Sequence, residues 1–317
     1  MTSHIFFGLG RWDDAIAANI ESIRLQEDGR KQMKLPPARC GHAVDWLQYA
    51  YWQAGRVQEA RQTFADCITD YGALLARRIM KADDRPENIA EVQFMLMDSL
   101  IDLHTTALVE AGPDSARDAA YTVDTGSNGR FGGRDLFARG YSAAMRNEWA
   151  QARTLLAQLR QVVATPATEV ELGYEKYLTD YLSVEADMLQ AMIDANDGKM
   201  DAAIALARDA ARRSDAIPFQ FGPPVVVKPA HELIGDLLLR ADKPREAVAA
   251  YDLAQKTAPN RALTLLGRAR ALKAAGDADG AREAFAQLAA QWHAADPGLP
   301  ALAEVRAGAG TTGVAAK

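Results

Sequence analysis

The sequence is poor in cysteine and aromatic residues, and it contains no long apolar run. Two cysteines in 317 residues are too few for a disulfide framework, and no pair has the C-x-x-C spacing of zinc or redox motifs. We therefore interpret Cys40 and Cys67 as buried free thiols, with a single bridge between them as the alternative. No apolar run approaches the roughly 18 residues of a membrane-spanning helix, which excludes insertion into a membrane.

A positive charge excess and a secretion signal are missing as well. The net charge of −6 leaves no basic field, and a general nucleic-acid binder usually has one. The first ten residues have no basic region and only a short apolar run, so they do not look like a signal peptide. As written, the chain is expected to stay in the cytoplasm and to bind no nucleic acid.

Alanine, in contrast, makes up 62 of the 317 residues, and β-branched residues are few. Alanine has the highest helix propensity, whereas strands favour β-branched and aromatic residues. The proportions of 49% hydrophobic and 25% charged residues are those of an ordinary folded chain. The composition therefore predicts an all-α protein.

A repeated pattern of small and aromatic residues follows a series of short turns. Residues 230–259 and 262–294 each have the pattern of two helices around a turn, and the two turns lie 34 residues apart. After each turn an alanine, an aromatic residue and a further small or aliphatic residue recur at the same offsets. They are Ala247, Tyr251 and Ala254 in the first segment and Ala281, Phe285 and Leu288 in the second. The alanine allows two helices to cross closely, and the aromatic residue fills the gap to the next pair.

This pattern resembles the tetratricopeptide repeat, a helix–turn–helix unit of 34 residues. Gly235, Ala247, Tyr251, Ala254 and Pro259 together match most of the signature of one unit. The resemblance implies a tetratricopeptide-like α-solenoid of stacked antiparallel helix pairs over residues 1–306. The units are expected near residues 1–25, 42–72, 73–121 (degenerate), 135–163, 169–214, 230–259 and 262–294, with a proline-rich insertion at 215–229 and a disordered tail at 307–317.

Three segments resemble the carboxyl-terminal half of a narrower group of largely uncharacterised bacterial proteins of this type. They are residues 3–6 with 10–14, residues 45–51, and residues 219–224 with Lys228, Pro229 and Glu232. In that group the segment that contains His4 and Ile5 lies in mid-chain, and members often carry export signals. The resemblance implies that the protein is exported if its true start lies upstream. It also implies that the first helix lacks a neighbour, so we expect this helix to fray, to self-associate or to pack against a partner.

The first helix of each unit lines the concave face in tetratricopeptide arrays, and this geometry gives a set of groove residues. An open groove with these residues would be aromatic and acidic, and it would suit a peptide with apolar anchors and a basic residue. The lysine and asparagine of the family's carboxylate clamp are absent from the corresponding positions. As an alternative, the same side chains form the core of a tightly wound solenoid. The candidates are His42, Asp45, Tyr49, Trp52, Phe137, Tyr141, Met188, Met192, Glu232 and Asp236.

The insertion is the most unusual segment of the sequence. Four prolines in residues 217–229 prevent a helix, and three consecutive valines favour an extended chain. Because Phe219 and Phe221 would be costly to expose, we expect the segment to fold back against the inner face with Lys228 near its exit. It is either a lid over a ligand or a plug that fills the inner face.

Signals for catalysis or cofactor binding are weak. His42 and Asp45 share a helix face and could hold a metal with a third ligand, but a polar pair beside a groove explains them equally simply. The glycine-rich residues 126–133, with Arg130 and Arg134, could cradle a phosphate, yet they lack the spacing of known nucleotide loops and we favour a connector. No nucleophile–base set can be assembled from spacing, so we expect no cofactor and no metal.

The sequence therefore predicts a non-enzymatic scaffold that binds a protein or peptide in a concave groove. The alternative is a small-molecule or metal-binding helical-repeat protein, catalytic or not, with a site closed by residues 217–229 and with Phe219, Phe221 and Lys228 at the closure.

Overall fold

The computed structural model describes residues 2–35, 39–79, 86–112, 130–167, 177–218 and 222–310. Every regular element in these ranges is an α-helix, as the composition predicts. The fourteen helices of this part are α1 (Thr2–Gly8), α2 (Trp12–Gln32), α3 (His42–Gln53), α4 (Val57–Ile79), α5 (Pro86–Ala111), α6 (Phe131–Met145), α7 (Trp149–Ala164), α8 (Leu178–Asn196), α9 (Met200–Asp215), α10 (Ala230–Arg240), α11 (Pro244–Thr257), α12 (Ala262–Ala274), α13 (Ala278–Gln291) and α14 (Leu302–Gly308). Residues 311–317 of the expected tail lie outside the description.

Consecutive helices pack as antiparallel pairs, and the repeated alanines lie at their crossings. Ala247 has no exposed surface and Ala281 almost none. The aromatic residue four positions later fills the space between neighbouring units, because a Cβ at Gly235 or Gly267 would lie 2.6 or 2.5 Å from the ring of Tyr251. The pairs stack as in a tetratricopeptide solenoid, so the predicted fold class is confirmed.

The array curves until its two ends meet. The inner helices α3, α5, α6, α8, α10 and α12 each contact the next one, and α12 contacts α3 again. Helices α4, α7, α9, α11 and α13 lie on the outside. The open inner wall expected from the sequence is therefore replaced by a closed ring with a central lumen.

The seam of the ring is formed by specific hydrogen bonds between its first and last units. Gln53 accepts through Oε1 from the backbone amide of Ala262 at 2.9 Å, and its carbonyl accepts from the indole of Trp292 at 3.1 Å. The amide of Asp296 donates to the carbonyl of Gly55 at 3.0 Å. Trp12 donates from its indole to the carbonyl of Asn260 at 2.8 Å.

Two turn glycines make this seam possible. Gly10 and Gly55 both have positive φ angles, of 61° and 71°. A Cβ at Gly10 would lie 2.3 Å from the carbonyl oxygen of Pro259, and one at Gly55 would lie 2.8 Å from Ala295. Glycine at these turns therefore ends a helix in the left-handed conformation and also allows the opposite end of the chain to approach.

The first helix is docked onto the ring through one face only. The Phe7 ring is buried and lies 4.6 Å from that of Trp46 and 5.4 Å from that of Trp12. Ile5 and Leu9 remain 61% and 55% exposed. The expected self-association through this face stays a prediction.

The interpretation of the two cysteines as free thiols is wrong. Cys40 and Cys67 form a disulfide, with their Cα atoms 4.8 Å apart. The bridge ties the segment that enters α3 to the outer helix α4. Of the described residues, none forms a helix long and apolar enough to cross a membrane.

Candidate functional site

The lumen contains a cavity of about 860 Å³ that lies near the carboxyl ends of α3, α5, α6, α8 and α10 and along the amino-terminal part of α12. Trp52, Tyr141 and Met192 from the last turns of α3, α6 and α8 line it, together with Leu237 from α10. Asp296 and residues 298–301, between α13 and α14, contribute another side of the wall. A volume of this size is typical of sites for small ligands or for a few side chains of a peptide.

The insertion packs against the inner face of the ring. Gly222 packs so closely on Trp46 of α3 that a Cβ would lie 2.4 Å from the indole ring. Val226, Val227 and Lys228 are buried. The described part of the segment therefore folds back against the inner face as expected. Phe219 and Phe221 lie outside the described residues.

The position of each groove candidate along its helix decides where it lies. Candidates at the carboxyl ends line the cavity, and those nearer the amino ends are packed between helices or under the insertion. The cavity is lined by Trp52, Tyr141, Met192, Asp236 and Lys228. Tyr49, Phe137, Met188 and Glu232 are fully buried and do not line it.

His42 and Asp45 lie at the amino-terminal end of α3, away from the cavity. The His42 ring is 4.5 Å from Trp46 and 5.8 Å from His4. Asp45 accepts from the hydroxyl of Ser99 at 2.5 Å. Burial lowers the pKa of His42, and burial together with nearby Asp102 raises the pKa of Asp45 well above its usual range. No group of three or more metal-ligating side chains occurs in the described part of the chain.

The arginines proposed for a phosphate loop are engaged within the fold. Arg130 is buried and donates to the hydroxyl of Thr179 at 2.7 Å and to the carbonyl of Thr165. Arg134 forms an ion pair with Asp102 at 2.5 Å. Residues 126–129 of the glycine-rich segment lie outside the described residues.

A buried network of charges lies behind the wall of the cavity, with Arg261 at its centre. The Arg261 guanidinium donates to Glu232 at 2.8 Å, to the hydroxyl of Tyr49 at 3.2 Å and to Glu110. Thr264 donates its hydroxyl to Glu232. The network links α3, α5, α10 and α12, so it joins both sides of the seam.

Lys228 of the insertion holds two carboxylates of α10 next to the cavity. Its Nζ lies 2.6 Å from Glu232 and 2.6 Å from Asp236. Tyr251 donates its hydroxyl to the second oxygen of Asp236 at 2.7 Å. The ammonium group also lies 5.8 Å from the centre of the Tyr141 ring.

The charge states follow from these contacts. Burial alone would raise the pKa of Glu232, but Arg261 and Lys228 outweigh burial and lower it to about 2. For Glu110 burial outweighs Arg261, so its pKa is raised. Burial would lower the pKa of Lys228, but Asp236 and Glu232 raise it well above its usual value. Glu232 and Lys228 are therefore ionised as a pair near neutral pH.

Arg261 and Glu110 are the site residues that sequence reasoning missed. Arg261 follows the turn at Pro259 and Asn260, where a charged residue usually faces solvent. Glu110 was detectable in principle, because it is a lone carboxylate near the end of an apolar helical segment that contains Leu103 and Leu108.

Glu185 of α8 is fully buried under the insertion and gives a pH-dependent prediction. Burial raises its pKa to about 8, although the nearby Arg134 opposes this. Since the folded-state pKa exceeds the unfolded value, the contribution of Glu185 to stability is complete below about pH 4.5 and is lost as the pH rises towards 8. Urea titrations should show equal stability of wild type and Glu185→Gln at pH 4.5 and a more stable variant at pH 8.5. A constant difference at both pH values would contradict the assignment.

Comparison with known families gives one match. A family model described as tetratricopeptide repeat matches residues 263–292, which cover most of α12 and α13. Comparison with curated proteins and with solved structures gives no match. The matched repeat and the stacked helix pairs together support a protein of the tetratricopeptide type.

Proposed function

We propose that the chain is a non-enzymatic scaffold that binds a short segment of a partner protein in the central cavity. The observation that carries this proposal is the cavity itself, which places Trp52, Tyr141 and Met192 around one concave space. Aromatic and methionine side chains dominate the energetics of peptide recognition, and tetratricopeptide arrays present such residues from their inner helices.

The mouth of the cavity carries the side chains that a partner would meet first. Met145 is exposed, Leu239 and Leu263 are partly exposed, and all three line the cavity. A segment that covers these residues would bury apolar surface without any movement of the core. The fully buried candidates Tyr49, Phe137 and Met188 then support the wall and do not touch the partner.

Site-specific photo-cross-linking tests the proposal. A benzophenone side chain at Leu263, inside the cavity, should give a covalent adduct with a discrete protein in the host cells. The same group at Leu253, which is 41% exposed on the outer helix α11, is the matched control. A Met145→Trp substitution should narrow the mouth and abolish the adduct at Leu263. Equal adducts from both positions, or none from Leu263, would contradict a groove-binding scaffold.

A small-molecule site is the second candidate, and the closed ring favours it. Lys228 of the insertion lines the cavity, and the volume of the cavity matches that of small-ligand sites. Native mass spectrometry of the purified protein distinguishes the two functions. A bound molecule of a few hundred daltons that Met145→Trp excludes would favour the second candidate.

A further inference from the structure

The buried network beside the cavity contains more carboxylates than cations. Lys228 pairs with Glu232 and Asp236. Arg261 pairs with Glu232 and Glu110. Two cations therefore serve three carboxylates, which leaves a surplus of one negative charge when all five groups are ionised. The raised pKa of Glu110 is consistent with this count, because Arg261 does not fully offset the effect of its burial.

The surplus charge reaches the cavity at Asp236. The side chain of Asp236 is 41% exposed and lines the cavity, whereas those of Glu110 and Glu232 are 3% and 0% exposed. One Asp236 oxygen is paired with Lys228 and the other accepts from Tyr251, but a carboxylate has about four acceptor positions. Asp236 can therefore accept further hydrogen bonds from a cationic group inside the cavity.

Arg240 supplies the opposite charge one helical turn away. It lies four residues after Asp236 on α10, and both side chains line the cavity. Residues at this spacing share a helix face, with their Cβ atoms about 5–6 Å apart. Arg240 is exposed, and it forms no ion pair with any residue that the structure describes.

The remaining charged residues of the wall are engaged within the chain. Arg270 forms an ion pair with Glu304 at 2.6 Å. Asp296 accepts from the backbone amide of Gln58 at 2.7 Å. Arg61 also interacts within the chain. The wall therefore offers an occupant a carboxylate with spare acceptor positions and, one turn along the same helix, an exposed guanidinium.

We infer that the cavity recognises a zwitterionic segment, in which a basic side chain contacts Asp236 and an acidic side chain contacts Arg240. This inference rests on the proposed function, because it specifies the chemistry of the segment that the scaffold binds. Side chains two positions apart on an extended segment lie on the same side and about 6–7 Å apart, which matches the spacing of the two charges on α10. The basic residue that the sequence alone indicates is thereby assigned to Asp236, and an acidic residue is added.

Selection from a random nonapeptide library on the immobilised full chain tests the inference. Peptides retained by the wild type but not by Met145→Trp are those that use the cavity. We expect them to be enriched in lysine or arginine with aspartate or glutamate two positions away. In a selected peptide, glutamine in place of the basic residue should weaken binding about tenfold, and in place of the acidic residue about threefold, because Arg240 is more exposed to water. The quenching of tryptophan fluorescence gives the affinities, because Trp52 and Trp292 both line the cavity.

Two conservative substitutions on α10 assign each charge. Asp236→Asn keeps an acceptor for Tyr251 but removes the surplus charge, so the preference for a basic residue should disappear and that for an acidic residue should remain. Arg240→Gln should have the converse effect. Asp242→Asn and Arg245→Gln remove the same charges from exposed positions that do not line the cavity, and both preferences should persist. Because Arg240 is exposed, its variant keeps the test valid if Asp236→Asn does not fold.

The outcomes separate the inference from the function on which it rests. Cavity-dependent peptides that lack this pair of charges, or preferences that ignore both substitutions, would overturn the inference and leave the scaffold intact. The absence of any peptide that distinguishes wild type from Met145→Trp would overturn both.

Discussion

Replacement of Arg261 by leucine is expected to lower the free energy of unfolding by about 3–5 kcal/mol, the cost typical of removing one partner from a buried ion pair. Arg261 has no exposed surface, and its loss leaves Glu232 and Glu110 buried with less compensation. It also removes a connection across the seam, because Tyr49 belongs to the first units and Arg261 to the last. Chemical denaturation followed by circular dichroism measures the change.

A matched control lies on α12, the helix that Arg261 immediately precedes. Arg268 pairs with Asp252 at 2.6 Å but is partly exposed, so Arg268→Leu should cost less than about 1 kcal/mol. Combining Arg261→Leu with Glu232→Gln and Glu110→Gln should recover part of the lost stability, because no carboxylate is then left unpaired. An Arg261→Leu variant as stable as Arg268→Leu would show that the network does not hold the ring.

Loss of the Cys40–Cys67 disulfide is the second large effect that we expect. The bridge closes a loop with a sequence separation of 27. Chain-entropy arguments for a loop of this length give a stabilisation of about 3.5 kcal/mol. Thermal unfolding of the wild type should therefore shift to lower temperature in the presence of a reductant, and Cys40→Ser with Cys67→Ser should unfold at the lower temperature with or without it.

The double serine variant is also the control for this prediction. If the reductant lowers the melting temperature of that variant as well, the effect does not come from the bridge. Unchanged melting of the wild type under full reduction, verified by thiol titration, would contradict a stabilising disulfide.

The helix pairs could be predicted from the sequence because their signals are local. Ala247 and Tyr251 are four residues apart and therefore share one helix face, whatever the rest of the chain does. The turn residues are local signals as well. A glycine such as Gly276, whose backbone has the left-handed conformation, ends a helix without contacts from distant residues. Such features can be recognised in a sequence without knowledge of its distant contacts.

Closure of the ring could not be predicted in the same way. Small rotations between successive units add up along the array, and their sum decides whether the ends meet. The contact between Gln53 and Ala262 joins residues 209 positions apart, and neither residue type is distinctive. The disulfide was only the alternative interpretation for a related reason, because spacing along the chain does not reveal that Cys40 and Cys67 approach each other in space.

The candidate site was predicted only in part, because the type of a residue does not determine how deeply its side chain is buried in the fold. Trp52 and Tyr49 lie three residues apart on one helix, yet the first lines the cavity and the second lies behind it. The rings of Phe7 and Trp12, 5.9 and 5.7 Å away, cover Tyr49, and its hydroxyl accepts from Arg261. Lys228 was recognised as part of the closure, but its pairing with Glu232 and Asp236 required the folded structure.

The most direct test of the closed ring is a distance measured across its seam in solution. Spin labels at Glu59→Cys and Pro297→Cys flank Gln58 and Asp296, which are joined by a hydrogen bond of 2.7 Å, and both labelled positions are exposed. Pulsed electron spin resonance should give one narrow distribution at short distance. A broad distribution at long distance would show an open superhelix and would contradict the enclosed cavity on which the proposed function depends.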